Sequence, residues 1–159
     1  MYLERLITGA KNGEAYRHFD ALLGLADLRE DININFGPTH PATSLSPDMS
    51  EMDPDDSYSR VPYEKGHTFL FYLEATLGRE SFLRYLKAHL NKFAYKSITV
   101  DDWRNFIQQW YKENDQAGFE KLSCVDMDKW LYGVGMPPAL PEYDQTLCDC
   151  CKRMAKMYS

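Results

Sequence analysis

Two tyrosines stand five residues apart in "DPDDSYSRVPYEKG": Tyr58 and Tyr63, with Asp53, Asp55 and Asp56 ahead of them and Glu64 directly after. The stretch leads into the most apolar segment of the chain. A phenol held just ahead of a rigid helix is suited to donating its O–H to a carbonyl oxygen as negative charge develops there, and the aspartates supply a carboxylate on the same loop. On residue physics alone the plainer expectation is that both tyrosines staple the loop to the core, with Glu64 buried at the doorway of the helix.

Other chemistry has less support. A serine or cysteine nucleophile needs a base within hydrogen-bond reach, and nothing in the spacing sets His18, His40, His67 or His89 beside Cys124. His18 and His89 fall on amphipathic helices, His67 in the first turn of an apolar one, and His40 in "GPTHP" is placed to brace its own loop. No two histidines stand at i and i+4 with a carboxylate between them, so the sequence lacks a zinc motif of its own. Cys148, Cys150 and Cys151 cluster as "CDCC". Adjacent cysteines do not readily bridge one another, and no histidine follows to complete a tetrahedral set, so reduced thiols are expected.

The totals narrow the classes of partner. A net charge of -6 with no basic stripe argues against a nucleic-acid backbone as ligand. Aromatic residues at 14% place the chain among packed globular domains rather than disordered ones. No run of 18 apolar residues exists, and the N-terminus lacks a basic start followed by a hydrophobic stretch, so a soluble, cytoplasmic protein without a membrane span is expected.

The elements that must position the tyrosines read as helices. "MYLERLI" has the look of the tail of a helix that begins upstream, stopped by Gly9 and then Gly13. In "EAYRHFDALLGLADL", Tyr16, Phe19, Leu22, Leu23 and Ala26 recur at intervals of three and four, the mark of an amphipathic helix. From residue 31 to residue 62 the periodicity disappears and five prolines intervene, a loop well beyond ordinary connection length and therefore disordered or functional. After Pro62, "YEKGHTFLFYLEATLG" sets Phe69, Leu70, Leu73 and Leu77 on one face and Phe71 and Tyr72 on the others, so this helix is expected to be buried nearly all round. "RESFLRYLKAHLNKF" follows with Phe82, Leu83, Leu86, Leu90 and Phe93 inward. Thr99 and Asp102 form a capping box ahead of the stripe Trp103, Phe106, Ile107, Trp110 and Tyr111. A short helix carries Trp130 and Leu131 to the same core, and Pro137, Pro138 and Pro141 stiffen a connector. The expected class is mainly α.

Beyond these readings, "MDPDDSYSRVPYEKG", "LFYLE", "KSITVDDW", "WLYGVGMPP", "YDQTL", "FGPTHP" and "YLER" together resemble peptidase family M1 in its leukotriene A(4) hydrolase branch, along nearly the whole chain. The resemblance implies the helical lobe of a thermolysin-like (gluzincin) catalytic domain with a long irregular active-site loop. It places the second half of that domain at residues 1–135, with the active-site loop at about 31–62, a proline-rich linker at 136–147, and the start of a truncated C-terminal helical domain at 148–159. It implies a zinc aminopeptidase that removes N-terminal residues from peptides, with a possible second activity as an epoxide hydrolase on a lipid epoxide. In that family zinc is held by an H-E-x-x-H pair and by the first glutamate of N-E-G-x-T-x-Y-x-E. The chain opens at the end of the second motif, so the ligands and the general base would precede Met1, in a missing half of the domain. The 159 residues alone would then bind no zinc and be inactive.

The same resemblance assigns roles. Tyr63 matches the tyrosine that hydrogen-bonds the tetrahedral intermediate, Asp55 an aspartate tied to water attack on the epoxide, Tyr58 a tyrosine lining the lipid pocket, and Glu4 a carboxylate that orients a zinc-binding histidine. Asp56 and Ser57 replace a small apolar pair, and Arg60 a serine, which adds charge beside that pocket. The rival expectation is a non-catalytic helical interaction module or decoy.

Overall fold

Seventeen residues of helix, Val61–Leu77, run through the centre of the molecule, and the other elements are arranged around them. The computed structural model describes residues 1–48, 50, 53 and 58–158. In chain order the helices are α1 (Tyr2–Asn12), α2 (Glu14–Glu30), α3 (Val61–Leu77), α4 (Arg79–Lys92), α5 (Val100–Asn114), α6 (Gln116–Ser123), α7 (Met127–Tyr132) and α8 (Thr146–Met157), with a π-helical turn at Asp31–Phe36 and a 3-10 turn at Pro41–Thr43. No strand occurs among the described residues. The expected mainly-α class holds.

Helix α3 is buried on almost every side, as its composition requires. Phe69 stacks on Trp130 of α7 at 4.7 Å between centroids and meets Trp103 of α5 edge-on at 5.8 Å. Leu73, Leu77 and Phe71 join the same core with Phe82 and Tyr85 of α4, Ile107 and Tyr111 of α5, and Leu122 of α6. The Thr99–Asp102 capping box at the start of α5 is formed in both directions.

Several expectations are corrected. Helix α1 does not stop at Gly9 but runs on to Asn12. A Cβ at position 9 would sit 2.9 Å from the Arg17 Cβ, so this glycine permits close approach of α2 rather than ending the helix. The inward face of α2 is not Tyr16, Phe19, Leu22, Leu23 and Ala26 but Arg17, Ala21, Gly24, Leu25 and Leu28. Tyr16 and Leu23 are exposed. On α4, Tyr85 is buried and Leu90 exposed, the reverse of the apolar periodicity. Helix α6 has no counterpart in the sequence reading. The expected loop is also shorter at both ends: α2 passes directly into the π-helical turn, which places Ile32 in the interior, and α3 starts at Val61 with Pro62 in its first turn.

The α2 face is misread because its inner side carries charge. Arg17 lies buried with its guanidinium 4.4 Å from the centre of the Phe71 ring, and its Nη1 donates to Oε1 of the buried Glu74 at 3.0 Å while Nη2 donates to Oε2. Tyr2 donates its O–H to the same Oε2 at 2.7 Å. Burial and that carboxylate push the Tyr2 phenol well up, which keeps it a donor.

A buried ion pair contributes little net stability when intact but is costly to break on one side. Glu74→Leu is therefore expected to cost about 3–5 kcal/mol by stranding Arg17. Adding Arg17→Met should recover much of the loss. Urea denaturation midpoints of the three chains check this.

Candidate active site

The first turn of α3 is held from several directions, and Tyr63 stands on it. Glu64 faces inward and accepts from Arg5 of α1, Nη1 to Oε2 at 2.6 Å and Nη2 to Oε1 at 3.2 Å, while Arg5 Nε donates to Asp20 at 3.0 Å. Gly24 of α2 makes room for this pair, since a Cβ there would lie 2.0 Å from Glu64 Oε2. Asp31 of the π-helical turn accepts from the Arg60 backbone N–H at 2.8 Å, and Ser59 Oγ accepts from the Val61 N–H at 3.2 Å. Lys65, fully buried, donates to three backbone carbonyls. Burial pulls its amine down to about 8.

With its neighbours pointing inward, Tyr63 points out. It is 50% exposed and Tyr58 is 80% exposed, so neither staples the loop to the core, and that expectation is corrected. The inward positions they would occupy are taken by Val61, Glu64 and Lys65. Tyr63 instead forms part of the wall of two clefts. One, of about 470 Å³, is apolar and lined by Tyr2, Pro62, His67, Leu70, Val100 and Trp103 among others. The other, of about 600 Å³, is more polar, with Tyr58, Tyr63, Glu30, Asp31, Asn35 and Arg60 around it. The structure thus brings Tyr58 and Tyr63 to one cleft. Glu4 lies elsewhere, exposed on α1, with its carboxylate 3.8 Å from the Met1 amino group. Asp55 lies outside the described residues, as do Asp56 and Ser57.

His67, one helical turn beyond Tyr63, is 2% exposed on the apolar cleft. Neither ring nitrogen has a hydrogen-bond partner among the described residues. Burial, together with the nearby Arg5 and Arg17 charges, lowers its pKa to about 3. His40 braces its loop as expected: its Nδ1 accepts from the Ala42 N–H at 3.2 Å, and its carbonyl accepts from the Thr43 hydroxyl at 2.6 Å. Sequence reasoning missed Arg5, Gly24 and Lys65. The signal for them was a glycine inside a helical pattern and the pair Glu64–Lys65 at the mouth of an apolar segment.

The family model of the Peptidase family M1 domain matches residues 1–130. The chain belongs to peptidase family M1. Within M1, it is 43% identical over 152 residues to a leukotriene A-4 hydrolase from Xenopus laevis, covering 95% of this chain and 24% of that protein. It is 38% identical over 157 residues to leucine aminopeptidase 2 from Neosartorya fischeri, covering 99% of this chain and 25% of that one. Its fold superposes on native leukotriene A4 hydrolase from Saccharomyces cerevisiae with a TM-score of 0.88 at 38% identity, over 97% of this chain and 24% of the yeast enzyme. The chain spans about a quarter of the length of these M1 relatives.

The buried neutral imidazole makes the M1 lobe sensitive to acid. In the folded chain His67 takes up its proton only near pH 3, whereas in the unfolded chain it does so near 6.5. Its contribution is complete above 6.5 and is lost as pH falls toward 3. His67→Phe should flatten the fall in urea midpoint across that window, which a pH series on both chains measures.

Proposed function

We propose that this chain forms the helical wall of the active site of an M1 zinc aminopeptidase, and that Tyr63 donates its O–H to the oxyanion of the tetrahedral intermediate in peptide cleavage. The observation that carries this reading is the placement of Tyr63: half-exposed, on a wall shared by two clefts, on a helical turn pinned by Arg5 and Lys65. A pre-set donor of this kind gains strength as charge develops and needs no reorganisation at that moment. The names of the M1 relatives support the peptidase assignment.

Among the described residues no three His, Cys, Asp or Glu side chains stand together as a metal-ligating group. These residues do not fit a zinc site, and no step of the reaction runs through one here. We assign the zinc ligands and the general base to the larger part of the M1 relatives' length that this chain does not span. In that assignment Glu4, exposed on α1, orients one of the metal's histidines, and the 159 residues alone do not turn over peptide. We further assign the polar cleft beside Tyr58 to substrate, with Asp55 as the water-directing carboxylate should the complete enzyme also open a lipid epoxide. No helix among the described residues is long and apolar enough to cross a membrane. The four free cysteines support a cytoplasmic location.

In the full-length enzyme, Tyr63→Phe is expected to keep its zinc and to lower kcat by about 10²–10³, or about 2.7–4 kcal/mol, with KM little changed. An unchanged kcat on an alanine anilide would overturn the role. Stoichiometric zinc and turnover by the purified 159 residues would overturn the division of the site.

A further inference from the structure

Lys65 is 0% exposed and is held by hydrogen bonds to backbone alone. Its Nζ donates to the carbonyl oxygens of Thr43 at 2.8 Å, Gly133 at 2.7 Å and Gly135 at 2.8 Å. An ammonium has three N–H bonds, and here three carbonyls receive them. The cage is built from distant segments. Thr43 lies in the 3-10 turn after α2, while Gly133 and Gly135 follow α7. Gly135 takes φ +75, and a Cβ there would lie 2.7 Å from the Pro38 oxygen. A Cβ on Gly133 would lie 2.3 Å from the Lys129 oxygen. The Gly135 N–H in turn donates to Thr43 Oγ1 at 2.7 Å, which laces two walls of the cage together.

Lys65 is two residues after Tyr63, so the two side chains leave α3 on opposite sides, one fully buried and one half-exposed. Whatever fixes the inner side chain sets the direction of the outer one. We propose that Lys65 is a positioning residue: its ammonium, captured by the cage of three carbonyls, orients the first turn of α3 and with it the Tyr63 O–H. This rests on the reading of Tyr63 as the oxyanion donor. Arg5–Glu64 and the buried Val61 retain the helix when Lys65 is cut back, so its loss appears as misdirection of the phenol.

The test uses the full-length enzyme. Lys65→Ala vacates the chain from Cγ to Nζ, which n-propylammonium matches in length. The variant should lose kcat by roughly 10- to 100-fold with KM nearly unchanged, the scale of a small misplacement at a reacting centre. Added n-propylammonium should restore kcat in a saturable way, while the bulkier tert-butylammonium does not and the parent enzyme responds to neither. Parental kcat in Lys65→Ala, or a loss that n-propylammonium does not restore, overturns the proposal. If Lys65→Ala does not fold, Lys65→Met fills the stem up to Cε without the ammonium: a lowered kcat that the amine leaves unmoved supports the proposal, and a parental kcat overturns it. A Lys65→Ala/Tyr63→Phe double variant should fall no further than Tyr63→Phe alone, and independent losses overturn the coupling. A thermal midpoint of Lys65→Ala that rises with n-propylammonium reports the cage without reference to Tyr63. An unchanged rate in Tyr63→Phe accompanied by that rise would therefore fail the donor reading and leave the cage standing.

Discussion

Three charged side chains of α3, Glu64, Lys65 and Glu74, point into the protein, and each is satisfied by a different part of the chain. Glu64 is matched by Arg5, Glu74 by Arg17 and Tyr2, and Lys65 by the carbonyls of Thr43, Gly133 and Gly135. An unpaired charge in such a place costs several kcal/mol. The helix therefore accepts its position only when α1, α2, the turn after α2 and the segment after α7 are all in theirs. Apolar packing against α4, α5 and α6 supplies the bulk of the burial. The polar partners decide the one arrangement in which that burial is permitted.

The same constraint shapes the site. With Val61, Glu64 and Lys65 committed inward, Tyr63 is left facing the solvent side of a turn that cannot rotate freely. For the donor role proposed for Tyr63 this would matter, because a phenol that had to be ordered during the reaction would lose much of its advantage. Among the described residues His67 is not satisfied in this way, and neither are the buried hydroxyls of Tyr85 and Tyr111. The His67 ring lies among Tyr2 and Phe71 with both nitrogens unpartnered among the described residues, on the wall of the apolar cleft that Tyr63 also borders.

Much of the fold was legible in local patterns. The capping box at Thr99 and Asp102, the Trp103–Tyr111 stripe and the all-round burial of α3 follow from residue types at helical spacing, and the structure has each of them. The likeness to M1 was equally legible, carried by motifs spread along the chain, and the family match bears it out. The reading of α2 failed for a definable reason. Periodicity counts apolar residues, and the inner face of this helix presents an arginine, an alanine and a glycine alongside its leucines. Leu23 and Tyr16, which satisfied the pattern, are on the outside. Tyr85 and Leu90 on α4 exchange places for a related reason: the aromatic ring is the one surrounded by Phe82, Phe106, Trp110 and Tyr111.

At the site, the sequence by itself determined the residue types, their order and their family, because helix signals and motifs act over one or two turns of chain. It marked Tyr63 as a candidate donor and Glu64 as a buried acid. Which way the phenol faces, and that Lys65 and Glu74 also lie inside, was decided only by tertiary structure. The partners of Glu64 and Glu74 stand 59 and 57 residues away, and two of Lys65's three acceptors 68 and 70. A charge can be buried only where its complement is already waiting, and no local pattern records what lies that far along the chain.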